Sequence, residues 1–302
     1  MTPPRPSATS AGERWRALVE ARLAALEATA PGSGPLGPAF WDARAQHWAA
    51  RMTDFDEHSA FAARLREVVG PSTSVVDVGA GSGRFALPLA SVAREVIAVD
   101  SSRVMLELLR EEAQRRGLDN VRTVHGSWEE VDGVEGDIVL CAYVLPLVAD
   151  AVRFLERLDA AARHRVFVYL AAVTSDLLIE PLWRHLHGLP RPPAPSFIDA
   201  VAVLREVGID PRVEVVQAPA FGCFANLDEA VDDYTRMLRI GADEALHRAE
   251  LRGILEAWLV DDGQGLRAPT PTLPAVILSW SPHGIDRTTE TTSHSSRSPS
   301  PV

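Results

Sequence analysis

An apolar run that ends in an acid and then meets three glycines at alternate positions constrains this chain more than any other feature. The stretch Val75-Val76-Asp77-Val78-Gly79-Ala80-Gly81-Ser82-Gly83-Arg84-Phe85 reads as a strand, a tight turn and the start of a helix. Glycines at alternate positions allow positive φ and bring bare backbone close to a bound molecule that a side chain would exclude. The β-branched run, bounded by Pro71 and Gly79, has the length and composition of a buried parallel strand.

The ligand class turns on the register in which the glycines are read. From Gly79 the GxGxxG spacing fails, because Arg84 stands where the third glycine belongs. From Gly81 the segment Gly81-Ser82-Gly83-Arg84-Phe85-Ala86 fits GxGxxA, so the loop alone admits a nicotinamide or flavin nucleotide. Adding Asp77, two residues before Gly79, gives DxGxGxG. That pattern resembles the first motif of the class I S-adenosylmethionine (SAM)-dependent methyltransferases.

Other segments come in the order of that family. Glu95-Val96-Ile97-Ala98-Val99-Asp100 is a second apolar strand ending in a carboxylate placed to accept two ribose hydroxyls, which serves SAM and NAD equally. Val121 to His125 reads as a third strand and runs into Gly126-Ser127-Trp128, where the family places residues that flank the adenine; Trp128 is the candidate for stacking on the purine. The fourth strand, Asp137 to Tyr143, is followed by the apolar Val144-Leu145-Pro146-Leu147-Val148. The likeness spans Val75 to Leu170, about a third of the chain. It implies SAM as cofactor and methyl transfer as the reaction. The implied fold is an α/β doubly wound, mostly parallel, seven-stranded Rossmann-like sheet with an N-terminal helical lid and a late helical insertion. The implied cofactor contacts are Asp77, Gly79, Ala80, Gly81, Gly83, Asp100, Ser101, Ser127, Trp128, Cys141 and Tyr143.

Charge and composition limit the partners. A net charge of -11 opposes a phosphate backbone instead of attracting it, which argues against nucleic acid as substrate. Arg110, Arg115 and Arg116 share a predicted helix with Glu107, Glu111 and Glu112, and read as a salt-bridged solvated face. The N-terminus lacks an apolar targeting region, and the longest apolar run, from Ile138 to Ala149, is too short to span a bilayer and contains Pro146, so a cytoplasmic protein without membrane association is expected. Cys141 and Cys223 lack metal-type spacing, and no metal is expected. Lysine is absent, which removes Schiff-base chemistry.

Residues 1–12 and 283–302 are too polar to bury a core and are expected to be disordered tails. Between them, residues 13–69 form the expected N-terminal lid, with helix signals at Glu13 to Thr29, Phe40 to Met52 and Glu57 to Val69 and a Pro/Gly linker at Pro31 to Pro35. Trp41, His47 and Trp48 are the lid's candidates for closing the pocket, although Trp41 and Trp48, seven apart, also suit one packed helix face. Residues 70–282 are expected to be the SAM-binding domain. After the fourth strand come a helix from Leu147 to Ala162, a strand from Arg165 to Leu170, a helix from Ser196 to Val207 and strands at Val213 to Val216 and Ala275 to Trp280. Between the last two strands the family has a short hairpin. Here more than fifty residues intervene, with helix signals at Leu227 to Ile240 and Asp243 to Leu259, which places a helical insertion at about 219–265 and makes it a candidate for substrate choice or for a homodimer contact.

The chemistry of a sulfonium asks for no nucleophilic side chain, only for an acceptor held in line and for exclusion of water. A general base is optional; His47, His58, Tyr143, His185 and His187 are the candidates. His185 and His187, two apart on a helix, point to different faces and do not suit a shared metal. His125, on a predicted buried strand, reads as a satisfied core residue. The sequence Cys141-Ala142-Tyr143-Val144 lacks the Asn/Asp-Pro-Pro-Tyr pattern of enzymes that methylate exocyclic amines, and Cys141 lacks the Pro-Cys context of cytosine C5 methylation. A small-molecule acceptor is the reading left. An NAD(P)-dependent oxidoreductase using the Gly81 register, and a non-catalytic SAM-binding protein, are the alternatives.

Overall fold

The computed structural model describes residues 9–29, 37–42, 45, 49, 59–172, 176–219, 223–240, 245–263, 265–270 and 272–282. Among the described residues, the helices α1 (Ala11–Thr29), α2 (Pro38–Asp42) and α3 (Ala60–Arg66) precede the first strand. Strands and helices then alternate: β1 (Ser74–Val78), α4 (Ala86–Ala90), β2 (Glu95–Asp100), α5 (Arg103–Arg115), β3 (Val121–His125), β4 (Gly136–Ala142), a 3-10 turn at Leu145–Leu147, α6 (Ala151–Ala161) and β5 (Ala162–Ala171). After α7 (Asp176–His187), α8 (Phe197–Glu206) and β6 (Arg212–Pro219) comes the late insertion: β7 (Cys223–Phe224), α9 (Leu227–Met237), α10 (Ala245–Trp258), β8 (Val260–Asp261) and β9 (Leu266–Arg267). The chain returns as β10 (Thr272–Trp280).

Seven strands form one sheet in the order β3-β2-β1-β4-β5-β10-β6. Strands β1 to β5 run parallel, and β10 lies antiparallel between β5 and β6. Dinucleotide-binding sheets of the doubly wound type run 3-2-1-4-5-6. The antiparallel strand wedged before the edge departs from that order. Every residue of β1 is buried, as the central position and its continuous β-branched run require. Edge strand β3 has no fully buried residue, and His125 at its end is exposed with Nε2 3.2 Å from the Ser101 carbonyl oxygen. His125 is therefore a rim residue and not the core histidine expected, because the sheet ends at β3.

The two faces of the sheet carry separate apolar layers. One holds Trp15, Val76, Ile97, Val139, Phe154, Val168 and Val276; the other holds Phe61, Val75, Phe85, Leu106, Leu140, Tyr169 and Ile277. Alternate residues of each strand thus reach opposite layers. Helix α1 packs on α6 and α8. Its Trp15, fully buried, donates its indole N–H to the Val148 carbonyl at 2.8 Å, and the Ala11 amide donates to the Glu206 carboxylate. Of the expected lid, α1 accordingly belongs to the flank of the sheet, whereas α2 packs on α5. Its Asp42 accepts a hydrogen bond from the Ser102 hydroxyl at 2.5 Å. Trp41 is half-buried on α2 with its ring edge-on to Phe40 at 5.2 Å. His47, Trp48, His58, the linker at 31–35 and the tail at 283–302 lie outside the described residues, as do residues 1–8.

Several boundaries differ from expectation for local reasons. The helix expected from Leu147 begins at Ala151, because Pro146 sits in a 3-10 turn and Asp150 supplies the cap, its carboxylate accepting from the Arg153 amide at 3.3 Å. Strand β5 starts at Ala162, earlier than the apolar run suggests. The insertion holds its two helices but also the small sheet β7-β9-β8, whose two-residue strands leave no periodicity to read. The helices bury Tyr234, Leu238, Leu251 and Leu255 against Trp183 of α7 and Leu26 of α1, a third apolar cluster.

Trp15 links α1 to the loop after β4, so its removal is expected to be costly. Trp15→Ala should destabilise by about 3–5 kcal/mol and Trp15→Phe by about 1–2 kcal/mol in urea unfolding, the second mainly through the carbonyl left unpaired.

Candidate active site

The carboxyl ends of β1, β2 and β4 converge on the glycine loop. Residues 79 to 83 stay close to the sheet because the Gly79 and Ala80 amides both donate to the Val99 carbonyl, at 2.8 and 3.0 Å. The Gly81 amide donates to Asp100 Oδ2 at 2.8 Å, and the Ser102 amide to Oδ1 at 2.8 Å. The acid at the end of β2 thus fastens the loop and begins α5, while the Ser102 hydroxyl caps that helix through the Met105 amide at 3.1 Å.

All three glycines have positive φ, of 73°, 54° and 98° for Gly79, Gly81 and Gly83, yet each meets different surroundings. A Cβ on Gly79 would lie 2.2 Å from Val144 Cγ2, and one on Gly83 would lie 2.7 Å from Leu87 Cγ. At Gly81 a Cβ would meet nothing within 4 Å among the described residues. Two glycines therefore admit neighbouring protein, and the middle one meets none of the described residues. Ala80, between them, is buried.

Two carboxylates shape the electrostatics below this loop. Asp77 is only 2% exposed, and burial, followed by the charge of Asp100, pushes its carboxyl up to about 8 against a backbone hydrogen bond from Ala86. Its Oδ2 is buried without a hydrogen-bond partner among the described residues. Burial likewise pushes Asp100 up, opposed by the amides of Ser102 and Gly81. The neighbouring Cys141 thiol is fully buried and raised by burial and by Asp77, which keeps it neutral and unreactive. A positively charged group at this place would restore the ionised state of Asp77. An orphaned buried carboxylate, a second acid at the neighbouring strand end and a bare backbone loop with room above Gly81 together fit a nucleoside that carries positive charge.

After β4 the chain turns sharply. Tyr143 sits in the left-handed region at φ 64°, unusual for a bulky residue, and its amide donates to the Tyr169 carbonyl at 2.9 Å. The two phenol groups are hydrogen-bonded to each other, with rings 5.0 Å apart. Burial pushes both phenols up, so both remain protonated at neutral pH. Tyr143 is therefore a poor general base. Arg84, which the sequence offered only as the residue that breaks GxGxxG, extends its guanidinium over the Tyr143 ring at 5.2 Å from the centroid. The signal for it was its place directly after the last glycine.

The remaining candidates fall in two groups. Ser101 and Ser127 are half-buried at the ends of β2 and β3; the Ser127 carbonyl accepts from the amides of Glu130 and Val131 at 3.0 Å each. Trp128 is 5% exposed, has Arg157 over its ring at 5.6 Å, and leaves Nε1 without a hydrogen-bond partner among the described residues. One ring face is thus already covered. His185 lies 2.8 Å from Glu250 through Nε2, and His187 places Nε2 2.7 Å from the Leu238 carbonyl while packing on Trp183. Both histidines join α7 to the insertion. No group of three potential ligands suited to a metal ion occurs among the described residues, and no described helix is long and apolar enough to cross a membrane.

A family model described as a methyltransferase domain matches residues 75–164, which contain the loop and both acids. A Haemophilus influenzae protein is 30% identical over 228 residues, 72% of this chain and 80% of its own length. The methyltransferase YcgJ of Bacillus subtilis is 35% identical over 124 residues, 39% of this chain and 48% of its own length. The crystal structure of YcgJ superimposes with a TM-score of 0.50 at 18% identity, covering 74% of this chain and 97% of that one. Shorter likeness extends to a 23S rRNA (uracil(1939)-C(5))-methyltransferase of Alkalilimnicola ehrlichii, 48% identical over 54 residues, which covers 18% of this chain and 12% of that enzyme.

The glycines' separate roles are separable by mutation. Gly81→Ala should cost about 1–2 kcal/mol in urea unfolding, the strain of a left-handed alanine alone. Gly79→Ala should cost clearly more because of the clash, and Val144→Ala in that background should recover part of the loss.

Proposed function

The chain belongs to the class I SAM-dependent methyltransferase family, and from that premise we propose that it transfers the methyl group of SAM to a small-molecule acceptor. The observation that carries the placement of the site is the buried, unpartnered Oδ2 of Asp77 beside Asp100 and under the open side of the glycine loop. The net charge of -11 supports a small acceptor over a polyanionic one.

When bound, SAM supplies a methyl carbon already activated by a positively charged sulfur. In this reading Asp77 supplies the compensating negative charge, and Gly79, Ala80, Gly81 and Gly83 offer close backbone. Asp100, held by the amides of Gly81 and Ser102, keeps lone pairs for the ribose hydroxyls, with Ser101 beside it. Ser127 and Trp128 border the adenine, with Trp128 set in the apolar layer of the sheet. Cys141 and Tyr143 border the methionine end, and residues 13–69 contribute a cover through α2. These residues position the reactants and exclude water. His185 and His187 are engaged by Glu250 and the Leu238 carbonyl, and Tyr143 holds its proton, so these three give no base.

The sign of the pH dependence is set by Asp77. Its carboxyl lies at about 8 in the fold against 3.8 in a free chain, so the folded state holds a proton that the unfolded state gives up between those values. Stability of the ligand-free protein should therefore fall as pH rises from about 4 to 8. SAM binding, by favouring the ionised form, should release a proton at pH 7 and tighten as pH rises toward 8. Calorimetry in buffers of different ionisation enthalpy reads this directly. Asp77→Asn should abolish the proton release and weaken SAM binding at least tenfold; unchanged affinity in that variant would contradict the placement.

A further inference from the structure

We propose that the cleft at the amino ends of β1, β4 and β5 is a second binding site, which takes the phosphate group of a small phosphorylated molecule. The cleft has a volume of about 470 Å³, within the roughly 300–1,000 Å³ range of small-molecule pockets. Ser72, Thr73, His164 and Arg165 line it with donors, and Val68 and Ile138 line it with apolar surface. Sheets of this kind take their nucleotide at the carboxyl ends of the strands, so this end is free of that task. Ser74 opens β1 beside the cleft, and at roughly 3.3 Å per residue about 10 Å of buried strand separates it from Asp77.

Both walls of the cleft are fixed. Gly136 pairs with Ala162 and Ile138 with Arg165, so β5 holds one residue more than β4 over this stretch. Bulges between parallel strands are rare, and they re-aim the side chains beside them. The irregularity leads directly into Arg165. On the other wall the Gly70 amide donates to Thr73 Oγ1 at 3.0 Å, and the Thr73 carbonyl accepts from the Arg94 amide at 2.9 Å. Thr73 Oγ1 thus accepts within its own turn and keeps its proton to donate.

Charge gives the cleft its class of ligand. Its acid, Asp137, is already served: Oδ2 accepts from the Ser74 amide and hydroxyl at 2.8 Å each, and Arg94, Arg163 and His164 stand within 4.0 Å of the carboxylate. Arg163 also meets Glu135 at 3.4 Å. Arg165 differs from these, being half-buried with no hydrogen bond or ion pair among the described residues. A guanidinium partly removed from water and left without an acid gains from a bound anion what the fold does not supply. Arg94, Arg163 and Arg165 outnumber Asp137 and Glu135, a local positive excess on a chain of net charge -11. The three terminal oxygens of a phosphate monoester can be met from several sides by a guanidinium, two hydroxyls and a ring N–H, whereas a carboxylate offers two oxygens in one plane. Val68 and Ile138 suit the organic part of the ligand.

The probe is phenyl phosphate, with phenol as its uncharged counterpart and benzoate as its carboxylate counterpart, titrated by NMR into the full chain with and without S-adenosylhomocysteine. Saturable binding of phenyl phosphate at least tenfold tighter than either counterpart is expected, unchanged within twofold by S-adenosylhomocysteine. Arg165→Gln should lose that preference. Val68→Asp, which sets an acid at an exposed position of the rim, should weaken phenyl phosphate at least tenfold, and urea unfolding shows that each variant is folded. Benzoate binding as tightly as phenyl phosphate overturns the site. So does displacement of phenyl phosphate by S-adenosylhomocysteine, since the probe would then occupy the glycine loop. Folded variants that bind phenyl phosphate as the wild type does overturn it as well.

Discussion

Two carboxylates at the ends of neighbouring parallel strands, both largely removed from water, set the conditions that the rest of the site has to meet. Asp100 resolves its burial by accepting amides from Gly81 and Ser102, and in doing so it pins the loop and starts α5. Asp77 is left with one oxygen unpartnered among the described residues and with a carboxyl raised to about 8. A buried acid in that condition costs stability unless its charge is either removed by a proton or matched by a cation. In the proposed reading the proton serves the empty protein and the cation serves the complex, so that the burial that weakens the free fold favours a positively charged nucleoside.

The loop's position depends in turn on the segment after β4. Val144 presses on Gly79, and it can do so only because Tyr143 accepts a left-handed backbone tied to Tyr169. The turn also brings the Tyr143 ring to 5.2 Å from the Arg84 guanidinium carbon and 5.0 Å from the Tyr169 ring. Strain in the backbone and the close glycine contact are therefore parts of one arrangement. Outside it, Trp15 secures α1 to the loop after β4, and the insertion packs its own apolar cluster on α7 and the end of α1. His185 and His187 belong to that outer frame.

The parallel half of the sheet was legible because its strands are short β-branched runs that end in an acid or a glycine, and each such ending lies at the same edge of the fold. Asp77 and Asp100 could be singled out for the same reason. The class of methyltransferase was readable from Asp77 together with the glycines, and the antiparallel β10 then departed from the dinucleotide order that the Gly81 register had kept open. Less could be read where tertiary context decides. His125 looked like core because it falls on a strand of the parallel sheet, but nothing in a single strand tells whether it lies at an edge. The strands β7, β8 and β9 are too short for a period to show. Arg84 looked only like a missing glycine, since its meaning lies in two tyrosines 59 and 85 residues further along the chain. The pairing of His185 with Glu250 is equally non-local.

The central claim is that the acid pair and the glycine loop hold SAM and not a dinucleotide. Parallel calorimetric titration of the full chain with SAM, S-adenosylhomocysteine, NAD and NADP tests it most directly. Binding of the first two at roughly micromolar dissociation constants, about -8 kcal/mol, with no heat from either dinucleotide, is the predicted result. Binding of NAD or NADP in place of SAM would contradict the account, leaving only the doubly wound fold.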